Sequence, residues 1–121
     1  MHNLNLQVYH FVEKFDEKLL SNLNKKINII FRNYNSYSEE TIIKIKNLCK
    51  KQKRKFYLSN NFKLAYKLNL DGLYIPSFNQ SRKITSYHIR KKFEIIGSAH
   101  NIKELRIKEK QKVSKILLSP L

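Results

Sequence analysis

The sequence predicts an α/β fold of about six parallel βα units, an incomplete TIM (β/α)8-type barrel. Two observations carry that expectation. Short runs of β-branched and aromatic residues recur, each followed by a segment with helical spacing of apolar residues. No Pro/Gly/Ser-rich linker divides them, so residues 1–121 read as one domain. Units of roughly twenty residues suit a barrel, but a closed barrel takes eight units and about 200 residues or more. A chain of 121 residues therefore lacks the last two.

Residues 7–12 form the first predicted strand, and residues 16–24 a helix with Leu19, Leu20 and Leu23 on one face. Residues 27–32 are the second strand. Either Ser36 with Glu39, or Ser38 alone, then caps a helix whose Ile42, Ile45, Leu48 and Cys49 repeat at helical spacing. Residues 55–59 make the third strand, ahead of a short helix through Leu64, Ala65 and Leu68. Asp71-Gly72 turns the chain into a fourth strand, 72–75, stopped by Pro76. A fifth strand at 93–97, a helix at 101–112 and a sixth strand at 115–118 complete the order, and the sixth runs into Ser119-Pro120-Leu121. Strands alternating with helices imply right-handed crossovers and a parallel sheet.

Composition excludes several chemistries. Cys49 is the single cysteine, and four histidines at no metal-ligand spacing leave no structural zinc site. Only Gly72 and Gly97 occur, so glycine-rich dinucleotide and phosphate loops are absent. No signal-like or membrane-length apolar run exists; no membrane partner is expected, and the expected compartment is reducing cytoplasm. Twenty-five Lys and Arg against nine Asp and Glu give +16, which favours polyanions. Yet twenty Lys, fourteen Ile and thirteen Asn are also what A/T-rich codons produce. The lysines are spread, and the densest run, Lys50, Lys51, Lys53, Arg54 and Lys55, falls at a helix end, where cations favour the dipole. A solvated surface is the expectation, with nucleic acid unlikely.

In parallel α/β folds chemistry gathers where strands end. The polar residues there are Arg32, Asn33 and Tyr34; Ser59, Asn60 and Asn61; Ser77 and Asn79; Ser98 and His100; and Ser119. Arg32 offers a planar donor fork suited to phosphate, or else braces a loop. Ser98 and His100, two residues apart, share a side if the strand continues, giving a hydroxyl beside a proton carrier. Alternatively Ser98 and Asn101 cap the next helix while His100 fills the turn. Carboxylates for magnesium are scarce: Asp16 and Asp71 lie away from outgoing strand ends, and Glu13 is the sole acid nearby.

Several stretches together carry a family resemblance: Ile29-Ile30-Phe31-Arg32-Asn33-Tyr34, the run 56–65 through Ser59-Asn60-Asn61, Leu70-Asp71-Gly72-Leu73-Tyr74-Ile75, Gly97-Ser98-Ala99-His100, and Leu118-Ser119-Pro120. In order and spacing the chain resembles thiamine-phosphate synthase and its thiazole-tautomerase (TenI-like) relatives over about residues 8 to 121. The resemblance implies a (β/α)8 barrel of thiamine biosynthesis that binds phosphorylated thiamine precursors. Synthases of the family use magnesium to couple a pyrimidine pyrophosphate to a thiazole phosphate, and tautomerases aromatise the thiazole by proton transfer. Carried over singly, Arg32, Ser59, Asn60, Ser98 and Ser119 bind substrate phosphate, and His100 is the catalytic candidate. The family's second-strand Gln and Lys correspond to Ile30 and Tyr34, and its two magnesium aspartates to Asn60 and Asn79. An amide keeps the shape and loses the charge, so metal affinity is expected to fall and no metal ligand is assigned. The alternatives are a non-catalytic remnant that binds a phosphate ligand or a partner, and a basic nucleic-acid binder. Unpaired first and sixth strands would call for a homodimer or a partner chain to complete the barrel.

Overall fold

A computed structural model describes residues 7–118, and Ser119 therefore lies outside the described residues. The chain forms two compact units, Met1–Phe56 and Tyr57–Leu121.

In the first unit, β1 (Val8–Val12) and β2 (Ile27–Phe31) run parallel, Val8 opposite Ile27 through Val12 opposite Phe31. Helix α1 (Glu17–Asn22) begins where the Asp16 carboxylate accepts the Leu19 N–H, and α2 (Glu39–Lys51) where the Ser38 hydroxyl accepts the Thr41 N–H at 3.1 Å. Ser38, not Ser36, is thus the cap, a contact worth about 1 kcal/mol. Ile42, Ile45 and Cys49 of α2 are buried, the expected stripe. Helix α1 is shorter than the expected 16–24, and only Leu20 is fully covered, while Leu19 is exposed.

The physical reason is Arg54. Expected among solvated cations, it is 4% exposed. Its guanidinium donates to the carbonyls of Leu20, Leu23, Asn24 and Ile27 and to the Gln52 side chain. The carbonyls of Leu20, Leu23 and Asn24 lie where α1 ends and that of Ile27 where β2 begins, and a cation at the helix terminus also suits the helix dipole. Leu23 accordingly leaves the helix in an extended conformation.

In the second unit, β3 (Phe56–Ser59, whose first residue closes the first unit), β4 (Gly72–Ile75), β5 (Glu94–Ala99) and β6 (Lys115–Leu118) follow one another in parallel. Within each unit the sheet order is the chain order, as in barrels. Helices α3 (Phe62–Lys67) and α4 (Ile102–Lys110) are capped by the side chains of Asn61 and Asn101. The step from β4 to β5 carries only a short 3-10 turn, Lys83–Ser86, which the sequence pattern does not signal. Strands β3 and β4 are buried along their whole length, as parallel strands covered on both faces are. Gly72 is required there: a Cβ would collide with the Glu94 carbonyl oxygen and sit 2.8 Å from the Tyr57 ring.

The fold is α/β with six parallel strands among the described residues, an incomplete TIM-type barrel. No helix among those residues is long and apolar enough to cross a membrane.

Candidate functional site

The outgoing ends of β3 and β4 border a pocket of about 240 Å³. Asn60 ends β3 in the left-handed region, φ 62°, which asparagine tolerates better than most residues. Its N–H donates to the Tyr74 carbonyl, and its side-chain oxygen accepts the Asn79 amide. Asn79 is itself fixed on every side. Its side-chain oxygen accepts the Ser81 N–H, and its carbonyl takes both the Lys108 ammonium and the Gln111 amide, each at 2.9 Å. The two amides thus form a rigid wall, and the Asn60 NH2 stays unused by any described residue.

Leu73, Ile75 and Ile84 give the pocket apolar surface, Phe62 and Tyr87 give it rings, and Lys63 and Lys83 give it cations. Phe62 and Tyr87 are stacked, centroids 4.5 Å apart and planes within 5°. Neither lysine forms an ion pair with a described residue. Few polar groups on an apolar, ring-lined surface are what a small planar ligand needs.

Lys108 is the buried anchor of this wall. It is 0% exposed, and its stem passes Gly97, where a Cβ would lie 2.7 Å from Lys108 Cδ. Burial pushes its ammonium below the ordinary lysine range, while the nearby Glu104 carboxylate pulls the other way. Neither Lys108 nor Gln111 stands out in the sequence, because a lysine in a basic helix reads as solvated. Phe62 and Tyr87 were likewise not separable from core rings.

The residues expected at the site fall in several places. Ser98 is buried, and its oxygen accepts the Tyr74 hydroxyl at 2.7 Å. Strand β5 ends at Ala99, so the two-residue spacing does not turn His100 to the side of Ser98. His100 fills the turn before α4. Its N–H donates to Glu104 Oε1 at 2.7 Å, with its ring Nδ1 3.0 Å from the same oxygen. The Asn101 cap stands, whereas Ser98 does not cap the helix. Hydrogen bonding from the His100 N–H holds the Glu104 carboxyl below its usual range. Ser59 is buried at the end of β3, its hydroxyl without a hydrogen-bond partner among the described residues, and is not in the pocket lining.

Arg32 belongs to the first unit. Its guanidinium lies 3.9 Å above the Phe11 ring, beside an open depression that Glu13, Asn33 and Tyr34 also line. It makes no hydrogen bond to a described residue through its guanidinium, so all five donors remain available. The Glu13 carboxylate in the same depression works against a bound anion.

The residues do not fit magnesium. The Asn60 side-chain oxygen is taken by the Asn79 NH2 and the Asn79 side-chain oxygen by the Ser81 N–H, and no group of three or more His, Cys, Asp or Glu among the described residues is placed to hold a metal ion. No protein-family model matches this sequence, and no curated protein is similar to it. The class that the fold and site define is therefore a parallel α/β chain with a small amide- and ring-lined pocket at its strand ends.

Proposed function

We propose that the chain is a thiamine-phosphate synthase/TenI-like protein that binds a phosphorylated thiamine precursor without metal-dependent turnover. The observation that carries this reading is the amide pair Asn60–Asn79 in the wall of the ring-lined pocket. Two carboxylates at these positions would repel and invite a cation; two amides bond directly and leave a neutral wall. The precursor's ring packs against Tyr87 and Phe62, its edge meets the free Asn60 amide, and its phosphate meets Lys63 and Lys83. His100, tied to Glu104 in the turn ahead of α4, takes no part.

The test is calorimetric titration with thiazole phosphate and with hydroxymethylpyrimidine pyrophosphate, each with and without magnesium. Saturable binding of one compound, unchanged by magnesium and weakened about tenfold by Lys83→Ala, is expected, a charge-assisted contact being worth about that. Asn79→Asp places a carboxylate beside the phosphate and makes binding depend on magnesium. Release of thiamine phosphate from the two compounds would overturn the non-catalytic reading. Failure of both to bind would overturn the family reading.

A further inference from the structure

The segment between β4 and β5 has a character that a small-ligand pocket does not require. From Asp71 to Glu94 no acidic residue intervenes, while Arg82, Lys83, Arg90, Lys91 and Lys92 all fall there. None of the five forms an ion pair with a described residue. All but Arg90 are exposed. A surface that only needed solubility would carry both signs; this one leaves its cations without neutralising partners.

Between the two cationic clusters in sequence stands Tyr87, exposed, its ring stacked on Phe62. Phe62 also stacks on Tyr66, centroids 5.1 Å apart. Arg90 is clamped into the same group: its guanidinium lies 4.1 Å above the Tyr66 ring, and its backbone N–H donates to the Tyr66 hydroxyl. The guanidinium Nη2 is buried with no acceptor. Tyr87 is thus a pre-ordered ring at the surface, backed by packed aromatics and flanked by unpaired cations. A second exposed ring, Phe78, precedes it.

Unpaired cations that follow a phosphate chain, together with a fixed exposed ring on which a base can stack, are the two requirements of single-strand recognition. We propose that residues 78–92 form a binding surface for single-stranded nucleic acid, with Tyr87 stacking a base and Arg82, Lys91 and Lys92 holding phosphates. A duplex keeps its bases stacked inside and has no use for Tyr87. The sequence alone points away from nucleic acid because its lysines are spread and its densest basic run, residues 50–55, falls at a helix end. Folding puts the rings beside a different set of cations. Tyr87 also lines the pocket, whereas Lys91 and Lys92 lie outside it, so loss of oligonucleotide binding in a Lys91/Lys92 variant is distinguishable from loss of precursor binding.

Fluorescence anisotropy of the whole chain with labelled oligo-U, and with a duplex of equal length, tests the proposal. Oligo-U is expected to bind at least tenfold tighter than the duplex. Tyr87→Ala is expected to weaken it about tenfold, the loss of one stacked base, while Tyr87→Phe retains it. The double variant Lys91→Ala/Lys92→Ala, both exposed positions, lowers the slope of log affinity against log salt by about 1.4, two single-strand contacts at roughly 0.7 each. Lys50→Ala/Lys51→Ala, equally basic and on α2, leaves single-strand preference unchanged. Equal affinity for duplex and single strand, an undiminished Tyr87→Ala, or the same loss from the α2 pair would overturn it. So would tighter retention on vesicles of anionic phospholipid than on oligo-U.

Discussion

At the scale of single residues, Arg54 decides more than any other polar side chain in the first unit. A buried guanidinium with no carboxylate partner is tolerable only because four carbonyls and the Gln52 side chain fill its donor positions. Removing it takes a charged donor from all four: the Leu20 carbonyl keeps the Gln52 amide and the Asn24 carbonyl keeps the Ile27 N–H, while each charge-assisted bond lost is worth about 1.5–3 kcal/mol. Arg54→Ala should therefore lower stability by about 3 kcal/mol or more, read as the midpoint of urea unfolding. Arg54→Lys should recover less than half, since three donors on one nitrogen cannot span the carbonyls reached by a planar fork. A Lys variant as stable as the parent would show that charge alone suffices. Arg54 was not legible in the sequence: it sits among four lysines, and what distinguishes it is a set of carbonyls about thirty residues earlier. Ser38, Asp16 and Asn101 were legible as caps or helix starts because their partners lie within four residues.

At the scale of elements, α4 joins a helix start and a pocket wall. The sequence placed it to within two residues at each end, as it did every strand among the described residues, because periodicity and turn residues are local. The buried side of α4 was hidden, since Lys108 and Gln111 are polar, and what they bond is the carbonyl of Asn79, distant in sequence. Lys108 makes stability depend on pH with a definite sign. Its pKa in the folded chain lies below the ordinary 10.5, so between those values the unfolded chain holds more protons. Stability therefore rises with pH across that window, and the full cost of the buried charge is present below it. Lys108→Met should stay within about 1–2 kcal/mol of the parent at neutral pH, an apolar stem replacing a costly charge. It should also abolish the parent's extra gain at alkaline pH. Urea midpoints of both proteins at neutral and alkaline pH measure this; parallel profiles would contradict it. Gly97→Ala presses on the same stem and on the Ile75 carbonyl, 3.2 Å from the added Cβ. It should cost about 1–3 kcal/mol, and less in the Lys108→Met background, where the long stem is gone.

At the scale of the whole molecule, charge is the property that sequence states most plainly and structure redistributes. Alternating strands and helices were enough to give the fold class, because a parallel α/β arrangement follows from the order of elements. The candidate site was legible only in part. Asn60 and Asn79 were marked as amides at strand ends, yet their bond to each other depends on a loop fixed by α4. Rings of a core and rings of a binding surface look alike in sequence until exposure separates Tyr87 from Phe93. The charge of +16 has a consequence for the folded state as a whole: compaction brings unbalanced cations together, and their repulsion opposes folding. Salt screens that repulsion, whereas the exposed Lys44–Glu40 and part-exposed Lys115–Glu94 pairs that it also screens are worth little. Added sodium chloride should therefore raise the melting temperature, by about 4 °C for each 1 kcal/mol of repulsion removed. Inorganic polyphosphate should do so at far lower concentration, because one polyanion neutralises several cations and meets them at higher density on the folded surface than along the unfolded chain. The comparison is a thermal melt across a chloride series and across a polyphosphate series on the same sample. A melting temperature that falls with chloride would mean that attractive pairs outweigh the net charge, and equal potency of the two salts per unit of ionic strength would mean screening alone, with no polyanion held at the surface.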